Sequence, residues 1–168
     1  MFDVIGDMPL HALVIHVVVI AIPLATLLAV LFALPRTRNW ARWAMALVTV
    51  GALASAFVAR ASGPSLKAAL KIELGNPVGD LIAVHAQLAT QLVIIMVVFA
   101  VLAVVNAFVV TRRSADSTSG RRAVDIILPI ALVAVAILAA IWVFRVGDIG
   151  ARAVWNPTGQ TDYTSQGG

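Results

Sequence analysis

Residues 10–34 read LHALVIHVVVIAIPLATLLAVLFAL, twenty-five positions with no Asp, Glu, Lys or Arg. As a helix rising about 1.5 Å per residue this stretch is roughly 37 Å long, more than the ~30 Å hydrocarbon core of a bilayer requires. Lipid offers no partner for backbone N–H and C=O groups, so the segment has to be helical there. Pro35 stops it, and the basic turn Arg36-Thr37-Arg38-Asn39 follows.

Three more apolar blocks complete the pattern, at about 43–59, 81–111 and 126–144. The expected fold is all-α: a four-helix transmembrane bundle, up-down-up-down. Residues 1–155 form its single domain, and 156–168 a flexible polar tail. Trp40 and Trp43 suit an interfacial belt, and Gly51, Ser55 and Ala59 form a small-residue stripe that allows a close helix neighbour. Between the second and third spans, Ser65 to Leu74 puts Leu66, Leu70 and Leu74 on one face, which predicts a short helix lying on the membrane surface. Residues 112–125 read as a loop, and Pro129 falls in the first turn of the fourth span, where proline is tolerated.

Composition agrees, since 61% of the 168 residues are hydrophobic and only 12% charged, too little polar surface to coat a water-soluble globule. The expected surroundings are the lipid bilayer. The net charge of +4 lies in short flanks of apolar blocks, where membrane orientation accounts for it and nucleic-acid binding does not. Of the twelve Lys and Arg, Arg36, Arg38, Arg42, Arg112, Arg113, Arg121 and Arg122 fall on one side, and Arg60, Lys67, Lys71, Arg145 and Arg152 on the other. The positive-inside rule makes the first side cytoplasmic and puts both termini outside. The first eight residues carry Asp3 and Asp7 and no basic n-region, so the first apolar block is expected to stay in the mature protein.

The chain has no cysteine, which removes disulfides, thiolate metal sites and cysteine nucleophiles. It also lacks a Walker loop, a dinucleotide fingerprint, a zinc-protease helix, a nucleophile elbow and paired intramembrane carboxylates, so an enzyme or a proton-coupled transporter is not expected. The candidate site residues are the three histidines, His11, His16 and His85, all toward the outer ends of alternate helices. His11 and His85 are level in depth. His11 and His16, five residues apart, point about 140° from each other, so only one of them can face His85. His16 is the better buried by depth and is preferred on that ground.

Two imidazoles on diagonal helices would supply axial ligands to a b-type haem, with Arg60 and Arg145 as partners for its propionates, making an electron carrier. A copper or zinc ion held by His16, His85 and His11 is an alternative, as is plain hydrogen bonding at the water interface. Gln87, Thr90, Gln91 and Asn106 on the third span are expected to hold helices together by hydrogen bonds. The other functional reading is a cofactor-free accessory or assembly subunit docked to other subunits of a membrane complex or to a homo-oligomer.

Two stretches together resemble a known family: Pro9-Leu10-His11-Ala12-Leu13-Val14-Ile15-His16, and Gly147-Asp148-Ile149-Gly150-Ala151-Arg152-Ala153-Val154-Trp155. They are similar to the DUF2231 family of four-helix bacterial membrane proteins of unknown function. The first looks like that family's Pro-x-His-Pro-x-x-x-His motif, with Ala12 in place of the second proline. His85 falls where the family has a histidine opening its third helix, and Asp148 stands where many members carry another. The resemblance implies the topology and a bacterial cytoplasmic membrane, and directs attention to the histidines without naming an activity. Gly147 and Gly150 of the second stretch are expected to stop the fourth helix and turn the chain back over the outer face, with Trp155 as an interfacial anchor.

Overall fold

The computed structural model describes residues 4–6, 8–110 and 119–160. Its described elements are α1 Leu10–Ala33, α2 Arg38–Ala69, α3 Pro77–Val109 and α4 Ser119–Trp155, preceded by a two-stranded ribbon, β1 Val4–Ile5 against β2 Met8–Pro9. Gly6 turns this ribbon in the left-handed conformation, φ +60°, that a two-residue hairpin turn requires. All four helices are long and apolar enough to cross a membrane.

The buried residues are mostly small. Ala25 and Ala29 of α1, Ala52 and Ala56 of α2, Ala103 of α3 and Ala136 and Ala139 of α4 share one buried cluster with Phe32, Met45, Met96, Phe99 and Leu132. The large aliphatic and aromatic side chains are turned outward: Ile20 is 69%, Leu47 71% and Phe144 76% exposed. A water-soluble bundle would reverse this arrangement. In lipid it is the stable one, because apolar surface gains nothing by leaving the tails and helices associate instead through close packing of small residues. The close-packed seam of α2 runs through Met45, Thr49, Ala52, Ala56 and Ala59. The expected stripe is corrected in part, because Gly51 faces open space. Steps of four residues drift about 40° each around a helix, so Gly51/Ser55/Ala59 leaves a seam that alternates steps of three and four.

α1 packs against α2 and α4, and α3 packs against the same two, which leaves α1 and α3 on one diagonal. The start of α1 meets the end of α2 at His11 and Ala59, and the end of α3 meets the early part of α4 at Asn106 and Leu128. Thr26 bonds the Ala136 carbonyl across α1 and α4 at 3.0 Å. The turn after α1 gives the expected basic residues a local task. Arg38 donates to the Phe32 and Ala33 carbonyls at 3.2 Å each, and Thr37 donates to that of Leu31, so orphan carbonyls at the helix end are satisfied. α3 begins with Asn76 as its cap, accepting from the Gly79 N–H at 2.8 Å, and Pro77 at the first helical position.

Four sequence expectations change. No separate surface helix occupies Ser65–Leu74: α2 runs unbroken through Pro64 to Ala69, and residues 70–76 make the turn into α3. α4 starts at Ser119, so the described part of the expected 112–125 loop is helical, while 111–118 lie outside the described residues. Pro129 is therefore interior to α4, not in its first turn. Nor do Gly147 and Gly150 stop α4, which continues to Trp155. Glycine within a helix costs only roughly 1 kcal/mol, and in a membrane bundle the backbone groups that proline frees are satisfied by neighbouring groups, so neither residue type ends α2 or α4. Most of the expected polar tail, 161–168, lies outside the described residues.

Helices of 24, 32, 33 and 37 residues are about 36, 48, 50 and 55 Å long, against about 30 Å of hydrocarbon. The register shows where part of the excess goes. At the end where α1 begins, α2 runs on for six residues past Gly63, α3 starts eight before His85, and α4 runs five past Gly150. Three helices thus stand two turns or so above the level of His11.

Candidate functional site

The site is assembled at that end from the second residue of α1 and the ninth of α3. The rings of His11 and His85 lie with centroids 6.5 Å apart and planes at 73°. Both are partly buried, and each is tied to the neighbouring helix by its Nδ1: His11 to the Ala59 carbonyl at 2.8 Å, and His85 to that of Val146 at 3.0 Å. A carbonyl only accepts, so each Nδ1 carries the proton. In the neutral ring Nε2 is then a bare lone pair on both residues, the form that binds a metal.

The two halves use the same parts. In α1–α2 the His11 ring lies over Gly63, four residues beyond Ala59; in α3–α4 the His85 ring lies over Gly150, four residues beyond Val146. A Cβ on Gly63 would stand 3.6 Å from the His11 ring, and one on Gly150 only 3.1 Å from Nδ1 and 3.2 Å from Cε1 of His85. Ser62 adds a hydroxyl 3.5 Å from Nδ1 of His11, and itself donates to the Val58 carbonyl at 2.9 Å.

His16 is elsewhere. It is exposed on the outer face of α1, and its Nδ1 donates to the Ala12 carbonyl of its own helix at 2.7 Å. The preference for His16 as the partner of His85 is therefore corrected to His11. Only one of the pair faces inward, as the five-residue spacing requires. Arg60 and Arg145 lie within one residue of the two acceptor carbonyls. Arg60 donates through Nε to Thr90 at 2.9 Å, and Arg145 is exposed, its guanidinium 4.8 Å from the centre of the Trp142 ring. Trp142 in turn donates to Gln91 at 3.1 Å, so Thr90 and Gln91 make interhelical bonds, as their place on α3 suggested. Gln87 is exposed, and Asn106 lies buried near the far end of the bundle. Among the described residues no group of three or more His, Cys, Asp or Glu could hold a metal ion, so the three-histidine arrangement does not form.

Gly63, Gly150 and Ser62 were missed as site residues. The signal for one was present, because Gly150 belongs to the C-terminal stretch that carries the family resemblance, but it was read as a helix stop.

An all-helical chain with four apolar helices of spanning length, small residues inside and large apolar ones outside, defines a multi-span membrane protein. The comparisons name the group: the sequence profile of the DUF2231 family, described as "Predicted membrane protein", matches residues 7–162, nearly the whole chain, and the chain belongs to that family. No curated protein and no solved structure matches it.

Proposed function

We propose that the protein is a membrane electron carrier that holds a b-type haem near the outer face through His11 and His85. The observation that supports this reading is the pair of imidazoles, each with Nδ1–H tied to a backbone carbonyl and with no partner at Nε2 among the described residues. That is the usual outer support of a metal-binding histidine, which fixes the tautomer and the plane of the ring. Two donors are half a coordination sphere for a bare zinc ion. They would suffice for a haem iron, whose porphyrin would bring the remaining nitrogens, so the donor set favours haem over zinc or copper.

Bound haem would supply reversible one-electron chemistry. The chain's own part is to orient the two rings, to fix Nδ1 as the protonated nitrogen of each neutral imidazole, and to lower the charge cost of the propionates. Arg60 keeps guanidinium N–H donors beyond the one given to Thr90, and Arg145 is exposed beside Trp142; both lie near enough to the site's level to pair with carboxylates. The bundle is read as up-down-up-down within residues 1–155, with both termini outside a cytoplasmic membrane. The contacts of helix starts with neighbouring helix ends and the seven-to-five cation bias support this.

Reduced-minus-oxidised spectra of protein produced with ample haem test the proposal. Wild type and His16→Ala are expected to give a Soret and a sharp α band, and His11→Ala and His85→Ala to lose the low-spin signature. A wild type without either band ends it.

A further inference from the structure

We infer that Gly150 is a positioning residue: its missing side chain is what lets the His85 ring seat against α4 and bond the Val146 carbonyl. This rests on the two-histidine site proposed above, and adds a residue to it that neither touches the cofactor nor has a polar side chain.

The argument starts from helix geometry. In α4 the Val146 carbonyl is the one that the amide of residue 150 bonds, four residues on. A Cβ in a helix tilts back toward the N-terminus, so a side chain at 150 would lean over that same carbonyl. The His85 ring occupies this space. The added Cβ would stand 3.1 Å from Nδ1 and 3.2 Å from Cε1, closer than ordinary carbon contacts of about 3.5–4.0 Å. It meets the same ring edge that the 3.0 Å bond to Val146 holds in place. Room for the Cβ has to come from a shift of the ring by a few tenths of an ångström, and that shift strains the bond that holds it. Gly147, three residues earlier on α4, makes no such demand, since nothing lies within 4 Å of a Cβ placed there. At Gly63 the corresponding separation from His11 is an ordinary van der Waals contact of 3.6 Å, so the tight seat belongs to the His85 half alone.

The test compares wild type, Gly150→Ala and Gly147→Ala, full-length in detergent, each checked for native helicity. With haem supplied, Gly150→Ala is expected to lose the low-spin two-histidine spectrum, while Gly147→Ala keeps it. Independently, ¹⁵N-histidine NMR of the haem-free protein, assigned with His85→Ala, reads the Nδ1–H directly. Gly150→Ala should shift the His85 resonance and speed its exchange with water about tenfold, the loss of roughly one hydrogen bond, and Gly147→Ala should leave it in place. If wild type takes up no haem but the NMR shift appears, the positioning role stands and the haem reading falls. A Gly150→Ala protein whose His85 resonance and exchange match wild type overturns the inference. Should Gly150→Ala not fold, Gly150→Ala/His85→Ala is expected to restore folding by removing the ring; failure to do so also overturns it.

Discussion

Replacing Asn106 with leucine isolates what a polar group contributes inside this bundle. Asn106 is fully buried on α3, and its amide nitrogen donates to Leu102 of its own helix at 2.9 Å and, across to α4, to Leu128 at a long 3.3 Å. Its Oδ1 is buried and has no partner among the described residues. Interhelical hydrogen bonds in membranes average about 0.6 kcal/mol, and the long Leu128 contact belongs at or below that average. A buried acceptor left unmade costs roughly 1–3 kcal/mol. Leucine, branched at the same carbon but somewhat larger, loses the first term and removes the second, while misfit can cost up to about 1.5 kcal/mol. The terms together run from a loss of about 1 to a gain of about 2 kcal/mol, and the expected outcome is a gain of roughly 0.5 kcal/mol. Asn106→Ala, which also opens a cavity, should lose about 2 kcal/mol. Unfolding by SDS in mixed micelles, followed by far-UV circular dichroism, measures both. A leucine variant destabilised by more than about 1.5 kcal/mol would refute the reasoning and make Asn106 a net structural bond.

Orientation is checked with reporter fusions at position 118 and at the C-terminus, expected to be cytoplasmic and external respectively; a C-terminal fusion active only in the cytoplasm reverses the assignment. Gly79→Ala is expected to unfold the turn into α3, because a Cβ there would run into the Glu73 carbonyl, a backbone atom that cannot swing aside. Proteolysis of the 70–78 segment should then rise sharply, whereas Gly51→Ala, with open space around it, should leave cleavage unchanged.

The spans were legible because hydrocarbon imposes a length and bars charge, and both marks are plain in residues 10–34. Helix ends were not, because beyond the hydrocarbon α2 and α4 carry ordinary stop signals, Ser62-Gly63-Pro64 and Gly147 to Gly150, that neighbouring helices override. The histidine pair was half legible. Counting residues from the charged ends put His11 and His85 at one depth, but which first-span histidine turns inward depends on the rotation of α1 about its axis. A helix apolar on every side gives little sign of that rotation. His16 was favoured for depth, although a histidine at membrane level can also sit on the outer surface, satisfied by its own helix. The task of Gly150 was illegible for a different reason: its stretch is marked by the family resemblance, but the space it leaves is used by a residue 65 positions away, which local pattern does not show.

The matched halves have a consequence for how such a site can arise. A single two-helix hairpin with a histidine near the start of its first helix, and a carbonyl and glycine one turn apart near the end of its second, already holds one oriented imidazole. Two identical copies meeting about a two-fold axis would face their histidines across that axis and build the pair with no further invention. Fusion into one chain then frees the halves to diverge, and the looser fit at Gly63 beside the tighter one at Gly150 is the kind of inequality that a true homodimer could not keep.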